Sequence, residues 1–183
     1  MKLRVIAGQF KGQLILAPDN VSTRPTTGRF RESFFNICQT TLKESSFLDI
    51  FAGSGAMGIE ALSRGAAFAT FIESDKKALS CIKKNLFSLS LQSQSRIYPL
   101  DVLKALRQLE KKKEMFTLIY CDPPYSLSLD TLKEVVEKGL NTLEEEGRFF
   151  LEFGQDLKDF SIIPKTVRKM GKSYLLEFVK EKG

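Results

Sequence analysis

The stretch from Leu48 to Ala66, LDIFAGSGAMGIEALSRGA, passes from an apolar segment through three spaced glycines into a helical pattern. Gly53, Gly55 and Gly58 fit the spacing G-x-G-x-x-G. At that spacing the first glycine permits a tight turn and the second lets a ligand approach the main chain. The third lets helix and strand pack closely. By itself the pattern is often only a turn. Between a strand and a helix it becomes a candidate nucleotide-binding loop. A phosphate-binding P-loop is excluded, because Ile59 rather than lysine follows Gly58.

Outward from this loop the chain alternates. Strands are expected at about 47–51, 68–73, 95–99, 116–121 and 147–153, with helices at about 56–64, 75–90, 101–114 and 128–143. Such alternation implies a mostly parallel sheet with helices on both faces. Upstream, residues 3–7 and 13–16 read as a β-hairpin around GQFKG. A single helix is expected from Thr27, with Phe30, Phe34, Phe35, Cys38 and Leu42 at helical spacing. Two C-terminal strands joined at Met170 and Gly171 suit a closing antiparallel pair.

In such sheets, ligands bind beyond the carboxyl ends of the strands, at the point where strand order reverses. Each strand end therefore deserves inspection. Asp49 ends the first, where a carboxylate could face a cationic ligand. Glu73 ends the second, twenty residues beyond Gly53, the offset of an acid that accepts both hydroxyls of a ribose. Asp101 follows the third and admits two readings, a contact to an adenine edge or a cap for the next helix. The fourth strand, FTLIY, runs into Cys121-Asp122-Pro123-Pro124-Tyr125. Proline cannot continue a sheet ladder, and two in succession stiffen the backbone. The Asp122 carboxylate and the Pro123 carbonyl then form a rigid pair of acceptors, suited to a planar amino group. Tyr125 suits stacking on the ring that bears it.

Composition narrows the chemistry. The chain has 183 residues, 43% of them hydrophobic, enough for one well-cored domain. Its apolar runs are strand-length, so no membrane span is expected, and MKLRVIAG is too short in apolar residues for a signal peptide. Cys38, Cys81 and Cys121 lie far apart and histidine is absent, which argues against a zinc site or disulfide framework and fits the cytoplasm. Without histidine, catalysis has to rely on carboxylates, backbone groups and positioning. The net charge of +6 suggests a polyanionic partner or a solvated surface. Lys2, Arg4, Lys11, Arg24, Arg29, Arg31 and Lys43 face only three acids within the first 46 residues.

The strand-end residues together resemble the class I S-adenosylmethionine-dependent methyltransferases, in which DPPY marks amino-group acceptors. The segments RVIAGQFKGQLILAP, RPTTGRFRESFFNI and LDIFAGSGAMGIEALSRGA further resemble the RsmD family of 16S rRNA guanine-N2 methyltransferases. The likeness spans essentially the whole chain and is strongest at 4–65 and 118–125. It implies a Rossmann-like α/β fold, a mostly parallel seven-stranded sheet with an N-terminal β-hairpin. Residues 1–183 would form one methyltransferase domain, with 1–20 as an extension that contacts RNA. It implies a cofactor cradle of Asp49, Gly53, Ser54, Gly55, Gly58, Glu73 and Asp101, and catalytic residues Asp122, Pro123 and Tyr125. Lys2, Arg4, Lys11, Arg24, Arg29 and Arg31 would contact RNA. The implied substrate is small-subunit rRNA, naked or in a 30S particle, methylated at guanine 966 by a monomer. One departure is visible: Gly28 stands where the family usually carries Asp.

Four other readings share parts of the pattern. An adenine-N6 methyltransferase would use the same DPPY, and a protein-glutamine methyltransferase prefers Asn at the position of Asp122. A non-enzymatic nucleotide-binding regulator would not need Asp122. A nicotinamide dehydrogenase would leave DPPY unexplained.

Overall fold

The computed structural model describes residues 1–18, 28–154 and 160–180. Its main sheet has seven strands: β3 (Ser46–Ile50), β4 (Phe68–Ile72), β5 (Ser95–Tyr98), β6 (Phe116–Cys121), β7 (Leu143–Phe153), β8 (Thr166–Met170) and β9 (Ser173–Val179). They lie in the order β5-β4-β3-β6-β7-β9-β8. The first five are parallel, and β9 runs antiparallel to both β7 and β8. The expected seven-stranded, mostly parallel architecture is the one observed.

Successive residues on a buried parallel strand face opposite sides, so both sides must be apolar. Phe47, Leu118 and Phe150 enter one core with α3 (Ala56–Ser63) and α4 (Lys76–Ser88). Leu48, Ile119 and Leu151 enter the other with α5 (Val102–Lys112) and α6 (Leu129–Asn141). No helix among the described residues is long and apolar enough to cross a membrane. The chain travels from β3 out to β5 and returns to β6 on the other flank of β3. The reversal therefore falls between β3 and β6.

A separate two-stranded sheet, β1 (Lys2–Arg4) and β2 (Leu14–Leu16), forms the N-terminal hairpin. Its strands are shorter than expected, for a definite reason. Beyond Arg4, Ile6 N and Ala7 N donate not to the facing strand but to Glu60 Oε2 and Oε1, both at 2.9 Å. The expected single helix is also interrupted, into α1 (Gly28–Ile37) and α2 (Gln39–Leu42). Arg148 Nη1 donates to the Ile37 carbonyl at 3.0 Å, next to the break at Cys38. Strand β7 begins at Leu143 rather than 147, because Leu143 already pairs with Phe116 across an irregularity in the ladder.

Candidate active site

The glycine loop takes the conformation its spacing requires. Gly53 and Gly55 have φ of +56° and +77°, where a side chain is strained, and Gly55 caps α3. A Cβ on Gly58 would stand 2.3 Å from Phe71 Cε1, so this residue does serve close helix–strand packing. A Cβ on Gly53 would meet nothing within 4 Å, so the main chain is open to a ligand there. Phe51 adopts φ +62° just before the loop. A bulky residue in that region is a strained one, of the kind that gathers at functional sites.

Two carboxylates hold this loop. Asp49 is 1% exposed and its Oδ2 accepts from Gly58 N at 3.0 Å. Burial pushes its carboxyl well above the usual range; the Gly58 N–H opposes that, while Asp122 and Glu73 add to it. Glu73 Oε2 accepts from Gly53 N at 2.8 Å, and Oε1 accepts from Ser74 N and Asp75 N. A carboxylate has about four lone-pair sites, and three are in use. Both ribose hydroxyls could bind Glu73 only if one of those amides gave way. Asp101 is exposed and caps α5, its Oδ1 accepting from Leu103 N and Lys104 N. The Ser54 carbonyl accepts from Asn85 Nδ2 at 3.1 Å.

On the other side of the reversal, Ile50 pairs with Cys121 and Asp122 N donates to the Ile50 carbonyl at 3.4 Å. Asp122 is thus tied to the strand end that leads into the glycine loop. Asp122, Pro123, Pro124 and Tyr125 line one pocket together with Glu152, Phe153, Gly154 and Ser173. Leu127 N donates to the Pro124 carbonyl, closing the turn, and Ser128 then caps α6. Tyr125 is 71% exposed and its ring lies beside Gly154, where a Cβ would be 2.6 Å from Tyr125 Cε1. Burial, then the Glu152 carboxylate, push the Asp122 carboxyl up to about 7.

Glu152 is the pocket residue that the sequence reading missed. It accepts from Tyr120 Oη at 2.7 Å and Ser173 Oγ at 2.8 Å. The available signal was an acid near the end of the apolar strand RFFLEF. Asn85 and Glu60 were missed as well. Asn85 is 1% exposed and exchanges hydrogen bonds with Leu16 N and O while it holds Ser54.

The basic residues divide. Lys2, Arg4, Lys11 and Arg29 are exposed, and Arg24 lies outside the described residues. Arg31 corrects the expectation: it is 3% exposed, and its Nη2 donates to the Arg4 carbonyl at 2.9 Å. It fastens α1 to the hairpin, and no phosphate can reach a guanidinium so buried. Gly28 is exposed at the start of α1, and a Cβ there would meet only Ile6 Cδ1 at 3.9 Å. The position has room for the aspartate it lacks.

The family described as conserved hypothetical protein 95 matches residues 3–175. The chain belongs to this family. Ribosomal RNA small subunit methyltransferase D of Escherichia coli K12 is 37% identical over 80% of this chain and 69% of its own. The protein of the same name from Buchnera aphidicola (Acyrthosiphon pisum) is 36% identical over 90% and 84%. A solved T. thermophilus 16S rRNA N2 G1207 methyltransferase (RsmC), in complex with AdoMet and guanosine, superposes with a TM-score of 0.76. It is 19% identical, covering 99% of this chain and 50% of that one, and so speaks for the fold alone. With its family and its fold settled, the chain is a methyltransferase.

Proposed function

We propose that the protein transfers a methyl group to the exocyclic N2 of a guanine in small-subunit rRNA, at the position numbered 966 in 16S rRNA. Its family makes it an S-adenosylmethionine-dependent rRNA methyltransferase; the atom and the position are the finer reading. One observation carries it. The hydrogen bond from Asp122 N to the Ile50 carbonyl joins the rigid DPPY acceptor corner to the strand that feeds the glycine loop.

The loop fits S-adenosylmethionine on its own geometry. Gly53 leaves open space over the main chain, and Glu73 stands against it. Gly53, Ser54, Gly55, Glu73 and Asp101 would hold the cofactor, with Asp49 and Gly58 supporting the loop from beneath. The cofactor supplies an electrophilic methyl group when bound. The rest is the work of the chain. A guanine amine is a poor nucleophile, because its lone pair is delocalised into the ring. Ionised Asp122 and the Pro123 carbonyl accept its two hydrogens and favour a pyramidal nitrogen with its lone pair free to attack. The carboxylate also offsets the positive charge that develops on nitrogen. The proton released on N-methylation passes to Asp122, which titrates near 7, and from there to solvent. Tyr125, with its ring exposed, stacks on the base.

In this reading residues 1–183 act as one domain and as a monomer in the cytoplasm, with residues 1–20 meeting the RNA or the 30S particle. The test is to incubate the protein with labelled S-adenosylmethionine and unmethylated small-subunit particles, then identify the labelled nucleoside. N2-methylguanosine at 966 is expected. N6-methyladenosine would overturn the reading, as would label in protein.

A further inference from the structure

Helix α4 reads KKALSCIKKNLFS, four lysines and no acid in thirteen residues. Its last turn and β2 bound an open groove lined by Lys2, Leu14, Leu16, Lys84, Asn85, Phe87 and Ser88. Phe87 is 74% exposed, Leu14 50% and Leu16 37%, so the groove presents a contiguous apolar patch at the surface. Lys2 and Lys84 are exposed, and among the described residues neither forms an ion pair. The groove is nonetheless firm. Asn85 in its floor binds both the N–H and the carbonyl of Leu16 and reaches the Ser54 carbonyl of the glycine loop.

We infer that this groove is a docking surface for an unpaired stretch of the substrate RNA, with one base stacked on Phe87 and flanking phosphates on Lys2 and Lys84. The inference rests on the rRNA reading above and extends it to a surface outside the acceptor pocket. Charge decides the occupant. Lysines around an exposed aromatic, with no acid in the lining, match a phosphate chain carrying π-faces. A second copy of this chain would bring lysine against lysine. The strand must be unpaired, because a paired base hides its faces within the stack. That agrees with the acceptor site, which can act only on a base taken out of its stack. Asn85 further connects the groove to the Ser54 carbonyl, so an RNA seated here rests on a residue that also holds the loop proposed to bind the cofactor.

The experiment measures affinity for small-subunit particles as a function of salt. Phe87→Ala is expected to weaken binding by about 5- to 150-fold with no change in salt slope, and Phe87→Trp to restore it. Lys84→Gln is expected to lower the log–log salt slope by about 0.7. A benzophenone amino acid at position 87 then reports the neighbour: crosslinks to RNA are expected. Unchanged affinity of Phe87→Ala overturns the inference, and so do crosslinks that fall on ribosomal protein. Phe87 is exposed, so the fold tolerates these changes, and a thermal melt checks that it does. These readouts hold whichever nucleoside is methylated, so failure here differs from failure of the N2 assignment.

Discussion

The glycine loop and the N-terminal hairpin adjoin each other but are held by opposite means. The loop is fixed from within its own βαβ unit: its amides reach Asp49 and Glu73, separated from them by nine and twenty residues. The hairpin is fixed from far away, chiefly by single side chains, with one main-chain bond from Gln9 N to the Ser63 carbonyl. Glu60 holds Ile6 and Ala7, Ser63 holds Ala7 and Phe10, and Asn85 holds Leu16, across 53 to 69 residues. Gly8 lies so close to α3 that a Cβ there would overlap the Ser63 carbonyl. The contrast shows how the chain builds two surfaces at once. Local backbone geometry makes the chemical site, and buried polar clamps on the helices flanking it attach the surface proposed to meet RNA.

The largest expected effect on activity tests the chemical side. Asp122→Ala removes an acceptor and a charge at the reacting nitrogen, so single-turnover methyl transfer is expected to fall on the order of 100- to 1000-fold. Cofactor and RNA affinities measured beside it are expected to stay near wild type. A variant that lost only affinity would move Asp122 from catalysis to binding.

Next comes the clamp. Glu60→Ala strands the Ile6 and Ala7 amides and unpairs Arg64, whose Nε lies 2.8 Å from Glu60 Oε1. The loss is expected to be about 3–5 kcal/mol by denaturant unfolding. Hydrogen exchange is expected to quicken at residues 1–17 before it does in β3. Equal acceleration in both would erase the distinction between the two regions.

Glu73→Ala acts on the loop. It removes a charge-assisted acceptor worth about 1.5–3 kcal/mol, so cofactor affinity is expected to drop roughly 10- to 150-fold by calorimetry. Part of that loss is disorder of Gly53, which Glu73 also holds. Unchanged affinity in a folded variant would show that another group holds the ribose.

The smallest effect belongs to the hairpin surface. Neutralising Lys2 or Lys11, both exposed, is expected to lower the log–log salt slope of RNA binding by somewhat under about one unit each. Arg31→Gln is expected to leave that slope alone and to destabilise the fold, because its guanidinium is buried against the Arg4 carbonyl.

What the sequence disclosed follows from the same contrast. Glycines and prolines constrain their own backbone, so the Gly53–Gly58 loop and the DPPY corner were legible at their strand ends, and the βα alternation gave the sheet. Glu152, Glu60 and Asn85 were not legible, because each role depends on a partner folded in from elsewhere. The break at Cys38 is of the same kind, since Arg148 lies 111 residues from the Ile37 carbonyl it captures. Arg31 was legible and misread. It stands three, four and seven residues before Phe34, Phe35 and Cys38, on the face that the helical period sends inward. The lysines of α4 were also in plain view, beyond the basic N-terminal quarter of the chain.

The pH dependence of Asp122 tests the central claim most directly. Its carboxyl titrates near 7 in the folded protein against an ordinary value of 3.8. Between those values the folded chain holds the extra proton. Its stabilising share is therefore present below about pH 4 and is lost as pH rises through 7, so Asp122→Asn is expected to stabilise the protein at pH 8. The reaction needs the opposite, ionised form. The decisive measurement is the single-turnover methyl-transfer rate from pH 5.5 to 8.5, for wild type and Asp122→Asn with RNA and cofactor saturating. The wild-type rate is expected to rise about tenfold per unit up to about pH 7 and then level, and the variant is expected to be slower with a flat rate. A flat wild-type profile, or the same rise in the variant, would contradict that claim.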